Sequence, residues 1–368
     1  RMLKENLITK KQFNIVIKKP LTLKPIKNTE KNQNIIVSIE AEIKDILKNN
    51  KAVNESIFVY STIDEKIQKQ ACIEFCKVIE DLKTKVPNAN GSAIVIDIST
   101  GEIKAIVNGL NLTTSPICRT KNSYWQASSI IKPLICYYAF INGDLPNTIY
   151  SDTPIEQELL EGYIKEWNPK NYIRKFSGDM SIERALLESN NIVPIRVLIK
   201  YGLEGFIDLL NKTNCFVKKK HYMSIALGCV ESNTYSIATY IAMFANGGRW
   251  NKPYIIKKIK NSDGNIILKE IQESKQILQK NKTEEVKSIL TRIGIRISKK
   301  LNIENPKDGV IAKTGTSNDA RSCWFACADD RYAVAVYVGA DSYDKMSDQH
   351  VTSFRYAAKI GMNVLNKI

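Results

Sequence analysis

Ser129 and Lys132 stand three residues apart, Ser189 and Asn191 two apart, and Lys313 opens a run Thr314, Gly315, Thr316 and Ser317. A serine with a lysine one helical turn away is a nucleophile beside a candidate base, provided the amine is held neutral. Desolvation and a nearby cation both favour loss of the ammonium proton, and Lys313 can serve as that cation. Such a set performs acyl transfer without an imidazole. The chain has two histidines, His221 after three lysines and His350 in a polar stretch, so a Ser-His-Asp arrangement is not expected. The eight cysteines contain no CxxC pair and no paired histidines accompany them, so the spacing is wrong for a zinc site.

The elements that must position these residues follow from pattern. Pro133 is tolerated only in the first turn of a helix, so a helix running to Asn142 and Gly143 must begin at 128–130, with Ser129 at its start. There, free N–H groups and the helix dipole favour developing negative charge. Pro194 marks Ser189 to Asn191 as a break between helices, with Asn191 expected to cap the second. Lys313 ends an apolar strand, where Gly315 leaves the backbone bare for another extended chain to approach. Ser342 and Lys345 repeat the serine–lysine spacing, but in a polar loop with no helix start, and are expected to be a chance match.

Around these motifs, Ile57 to Tyr60 reads as a strand. Thr62 to Glu65 reads as a capping box for a helix burying Ile67, Ala71, Phe75, Val78, Ile79 and Leu82. Strands are expected at 93–96 and 103–107 around the turn Ser99 to Gly101, and at 309–313, 323–326 and 332–338. Helices are expected over 181–212, broken at Ser189 to Asn191 and Gly202, and over 235–246 and 284–301. Strands at both chain ends bracket a helical middle. The fold class is therefore α+β: one antiparallel five-stranded sheet flanked by helices, with an inserted all-helical lobe.

Composition sets outer limits. The 368 residues are 43% apolar and 25% charged, enough for a sizeable core. The net charge of +16 suits an anionic lipid surface or a polyanionic wall; scattered lysines without interleaved aromatics make nucleic acid an unexpected partner. Cys323 and Cys327 lie four apart on an expected strand, about 13 Å, too far for a disulfide, so buried free thiols are expected. The first 50 residues, rich in Lys and Asn, read as a linker or the tail of an upstream domain, with the folded unit spanning 51–368. A start at Arg1 with no signal-like segment reads as a cut from a longer polypeptide.

Ser-x-x-Lys, Ser-x-Asn and Lys-Thr-Gly in this order resemble the transpeptidase domain of bifunctional, class A penicillin-binding proteins. The resemblance extends to Gly91 to Asp97 (GSAIVID) with Thr100, Gly101 and Glu102, Trp167 to Tyr172 (WNPKNY), Ser224 to Gly228 (SIALG), Met243 to Gly248 (MFANGG), and Asn318, Asp319, Trp324 and Phe325. It covers about 56–340. Ser128 and Cys229 stand where that family usually has glycine, and Ser322 where it often has an acidic residue.

The resemblance implies that Ser129 attacks the penultimate D-alanine carbonyl of a peptidoglycan stem peptide, with Lys132 as base. It also implies Ser189 as proton relay, Asn191 orienting Lys132 or substrate, and Lys313 as the cation. Thr314, Gly315 and Thr316 would bind the substrate carboxylate end, and the backbone N–H groups of Ser129 and Thr316 would form the oxyanion hole. The implied partners are a D-Ala-D-Ala donor, an amine acceptor, and β-lactams as inhibitors, with no metal or organic cofactor needed. The implied location is the outer face of a bacterial membrane, anchored by a missing segment. A D,D-carboxypeptidase, a serine β-lactamase and a degenerate wall-binding scaffold are the alternatives.

Overall fold

The computed structural model describes residues 9–11, 30–49, 56–112, 116–156, 167–217, 222–346 and 350–368. Five strands form the central antiparallel sheet: β1 (Ala89–Asp97), β2 (Ile103–Val107), β3 (Ile311–Thr316), β4 (Ser322–Ala328) and β5 (Tyr332–Ala340). Their order is β3-β4-β5-β1-β2. The two ends of the chain meet at its centre, where Tyr332 pairs with Asp97 and Ala340 with Ala89. Every residue of β4 and β5 is buried, which explains why they read as continuous apolar runs with no polar alternation.

The longer helices are α1 (Glu30–Asn49), α2 (Glu65–Lys83), α3 (Lys132–Ile141), α4 (Ile182–Glu188), α5 (Ile192–Tyr201), α6 (Leu203–Thr213), α7 (Thr234–Ala245), α8 (Lys280–Lys300) and α9 (Ala357–Lys367). α2 and α9 pack on each other and on the sheet, while α7 and α8 bring the helical lobe against it. All six apolar positions expected on α2 are buried. Its cap differs from expectation: Asp64 accepts from Lys66 N and Ile67 N, whereas the Thr62 hydroxyl donates to Ile103 O at 2.7 Å. Thr62 ties the chain to β2 just before the helix can start.

Two further differences arise from long-range pairing that no local pattern reports. The lobe read as all-helical also holds two short ladders, Ile149–Asp152 with Gly178–Ser181 and Trp125–Gln126 with Glu231–Ser232. Within the stretch read as a linker or tail, residues 30–49 are helical as α1, whose Asn34 and Ser38 are buried against Asn108, the residue after β2. No disulfide joins the cysteines among the described residues; five cysteines are buried, Cys72 and Cys76 partly so, and Cys229 is exposed. No described helix is long and apolar enough to cross a membrane.

Candidate active site

Ser129 lies in a turn of 3-10 helix, Ser128–Ile131, that runs straight into α3, with Pro133 in its first turn as expected. Three sides hold this turn in place. The carbonyl of Gln126 accepts from Ser322 Oγ and Trp324 Nε1, both at 2.9 Å, so the serine found in place of an acidic residue on β4 is an anchor. Ala127 N donates to Val230 O and Ser128 N to Gly228 O. Ser128 has φ 53°, the left-handed region that explains a glycine preference; Cys229 shows no such strain. β3 closes the third side. A Cβ on Gly315 would lie 2.8 Å from Ala127 O and 3.2 Å from Ile130 N. The bare face of Gly315 therefore receives the turn that carries Ser129, while β3 remains an edge strand of its sheet.

Lys132 and Lys313 are each only 2% exposed, so both amines sit almost wholly out of water. Lys132 Nζ donates to Ser189 O and to Asn191 Oδ1, both at 2.7 Å. Lys313 Nζ donates to Ser189 Oγ at 3.0 Å and Thr314 O at 2.8 Å. Ser189 thus joins the two lysines, its carbonyl facing one and its hydroxyl the other. It does so at the end of α4 in a left-handed conformation, φ 56°, which costs a residue with a Cβ about 1–2 kcal/mol.

Asn191 does not cap α5 through its side chain, contrary to expectation. Asn190 does, accepting from Ile192 N and Val193 N at 2.8 and 2.9 Å. That division leaves the Asn191 amide for Lys132.

Burial lowers the Lys132 pKa well below the usual lysine value, and the charge of Lys313 pushes in the same direction. Burial brings Lys313 down to about 7. Both shifts favour the neutral amine, and the charge of Lys313 favours it further at Lys132. A neutral amine has two N–H donors and one lone pair. With both donors taken by Ser189 O and Asn191 Oδ1, the lone pair is what remains for a serine proton. Among the described residues Ser129 Oγ makes no hydrogen bond, and the Thr316 hydroxyl is paired with Ser353 Oγ at 2.7 Å. Pairing with Ser353, which sequence spacing gives no means of finding, joins the end of β3 to the segment before α9.

This burial has a consequence for stability. A lysine whose folded pKa is depressed binds fewer protons than in the unfolded chain, between its folded value and about 10.4. Stability should therefore rise with pH from about 7 upward on account of Lys313. Chemical denaturation at pH 7, 8, 9 and 10 should show a shallower rise in the Lys313→Met variant than in the parent; equal slopes would contradict the assignment.

Just before the turn that carries Ser129, the chain borders an open groove of about 460 Å³ lined by Tyr124, Trp125, Gln126, Cys229 and Tyr343 among others. Trp125 stacks between Tyr337 and Tyr343, with ring centroids 5.3 and 5.4 Å away. The second serine–lysine pair is not part of the site: Ser342 and Lys345 are exposed, and the Ser342 hydroxyl donates to Asp344. His350 is exposed, and His221 lies outside the described residues.

Residues 91–352 match the family described as penicillin binding protein transpeptidase domain. Penicillin-binding protein 1A of Aquifex aeolicus is 30% identical over 286 residues, covering 77% of this chain and 38% of that protein. The 1A protein of Rickettsia felis is 28% identical over 297 residues, covering 72% and 37%. The chain therefore spans well under half the length of these relatives. In structure it resembles penicillin-binding protein 1A from Haemophilus influenzae, with a TM-score of 0.79 at 17% identity over 100% of this chain and 74% of that one. PonA1 from Mycobacterium tuberculosis in complex with penicillin V gives 0.77 at 18%, covering 90% and 92%. By its matched residues, and with its Ser-x-x-Lys, Ser-x-Asn and Lys-Thr-Gly segments gathered around two buried lysines, the chain belongs to the penicillin-binding protein transpeptidase family.

Proposed function

We propose that this chain crosslinks peptidoglycan as a serine D,D-transpeptidase, with residues 51–368 as the catalytic domain of a longer, bifunctional class A protein. It works on the outer face of a bacterial membrane, attached through a segment outside this chain. The observation that carries the proposal is the buried Lys132 amine with both its N–H groups committed to Ser189 O and Asn191 Oδ1.

In the first half-reaction Ser129 Oγ attacks the penultimate D-alanine carbonyl while its proton passes to the Lys132 lone pair. The oxyanion is held by the N–H groups of Ser129 and Thr316, a contribution of about 3–4 kcal/mol per donor. The C–N bond breaks, the terminal D-alanine leaves with a proton relayed through Lys132 and Ser189, and an ester remains on Ser129. An acceptor amine then attacks that ester and gives a proton to Lys132; the C–O bond to Ser129 breaks, Lys132 returns the proton to Ser129 Oγ, and the new amide is the crosslink. Lys313 keeps positive potential beside the carboxylate end of the donor, next to Thr314, Gly315 and Thr316; Thr316 must share or release Ser353 to use its hydroxyl. A β-lactam imitates the donor and stops at the ester. No cofactor takes part.

Incubation with a fluorescent penicillin followed by mass spectrometry tests this. An adduct on the tryptic peptide containing Ser129, persisting for many minutes and missing in Ser129→Ala, is the expected result. No adduct sinks the reading. Hydrolysis within seconds indicates a β-lactamase, and released D-alanine without crosslinked dimer indicates a carboxypeptidase.

A further inference from the structure

The segment Trp167 to Tyr172 stands out in the sequence, yet none of its residues enters the chemistry above. Asn171 is 9% exposed and Asp152, at the end of a short strand, is fully buried. The Asp152 carboxylate accepts from Asn171 Nδ2 at 2.8 and 3.1 Å and from Ser177 N at 2.8 Å. Asn171 Nδ2 also donates to Lys175 O. A carboxylate only accepts, so the Asn171 amide has one orientation, with its oxygen turned away from Asp152. That oxygen accepts from Asn191 N at 2.9 Å.

Asn191 is fixed in the same way. Its Nδ2 donates to Lys170 O at 2.7 Å, which turns Oδ1 toward Lys132 Nζ. A hydrogen-bonded chain of defined polarity therefore runs from the buried carboxylate through Asn171 to the backbone of Asn191, and the neighbouring carbonyl sets that residue's amide.

We propose that Asp152 and Asn171 are positioning residues for acylation, holding Asn191 so that its carbonyl keeps the Lys132 lone pair aimed at the serine. The inference rests on Lys132 serving Ser129 as base. An absent adduct in the parent chain overturns that base assignment, whereas an adduct in the parent with an undisturbed variant overturns only the positioning.

The test measures the acylation rate constant per active site with a fluorescent penicillin across pH, in the full chain. Asn171→Ala should lower the plateau rate about 10- to 100-fold, the range expected for a reacting group displaced by about 1 Å. Its acid limb should move to lower pH, because an acceptor on Nζ favours the ammonium form and is no longer held there. Asn171→Asp sets two carboxylates against each other and should fall at least as far; adding Asp152→Asn restores a donor between them and should recover most of the rate. The proposal is overturned by Asn171→Ala rates within twofold of the parent at every pH. It is overturned equally by a loss confined to the fraction of active protein, with rate constant and acid limb unchanged, or by a swapped double variant no faster than Asn171→Asp.

Discussion

Lys132→Met should lower the rate of acylation by a penicillin about 10²- to 10⁴-fold, the range a positioned general base contributes, while leaving the fold intact. Methionine is close to lysine in length and is content without water. Two effects on stability oppose each other. Removing a buried amine relieves its desolvation, but Ser189 O and Asn191 Oδ1 lose their donor, at about 1–3 kcal/mol for each buried group left unpaired. The melting temperature should therefore move by only a few degrees, and the rate loss should not track it. Stopped-flow acylation beside a thermal melt checks both. Near-parent acylation would remove Lys132 from the mechanism. The parent's rate should rise with pH through the depressed Lys132 pKa to a plateau, because only the neutral amine accepts the serine proton.

The order of the chemistry-bearing residues is legible in the amino-acid sequence. Proline and glycine rules place Ser129 at a helix start and Ser189 to Asn191 between helices, because those rules are local. The five strands are legible too, since β4 and β5 are apolar on both faces. What sequence cannot supply is the partner of each group across the fold. Asn190 and Asn191 are the same residue type side by side, and only the approach of Lys170 and Lys132 decides which one caps and which one faces Lys132. Asp152 and Asn171 carry no periodic signal and are neighbours through a two-stranded ladder and an irregular segment. α1 does carry an apolar stripe, with Val37 buried and Ile39, Ile43 and Ile46 packed against the core, but it lies within a Lys- and Asn-rich stretch, and the partner of its buried Asn34 and Ser38, Asn108, is far along the chain. Gly315 is recognisable as a bare point on β3, but that the turn carrying Ser129 packs on it depends on Ala127 and Ile130, far away in the chain.

Gly228→Ala should disable acylation through shape alone. Gly228 has φ 79°, and a Cβ there would fall 1.9 Å from Ser128 O, 2.4 Å from Ser128 C and 2.6 Å from Ser128 Cα. These are backbone atoms of the residue before the nucleophile, so no rotamer change can relieve the overlap. The turn must move, breaking the bond from Ser128 N to Gly228 O. A shift of about 1 Å at a nucleophile is enough for a loss on the order of 100-fold. Backbone strain is a separate effect, about 1–2 kcal/mol for a left-handed residue that gains a Cβ, and a control separates the two. Gly143, just past the end of α3, has φ 103° with nothing within 4 Å of where its Cβ would be. Gly143→Ala should carry the strain without the clash, losing some thermal stability while acylating at the parent rate. Equal acylation losses in the two variants would mean that strain, and not the contact with Ser128, governs the turn. A Gly228→Ala protein acylating within twofold of the parent would mean that the nucleophile's position does not depend on this contact at all.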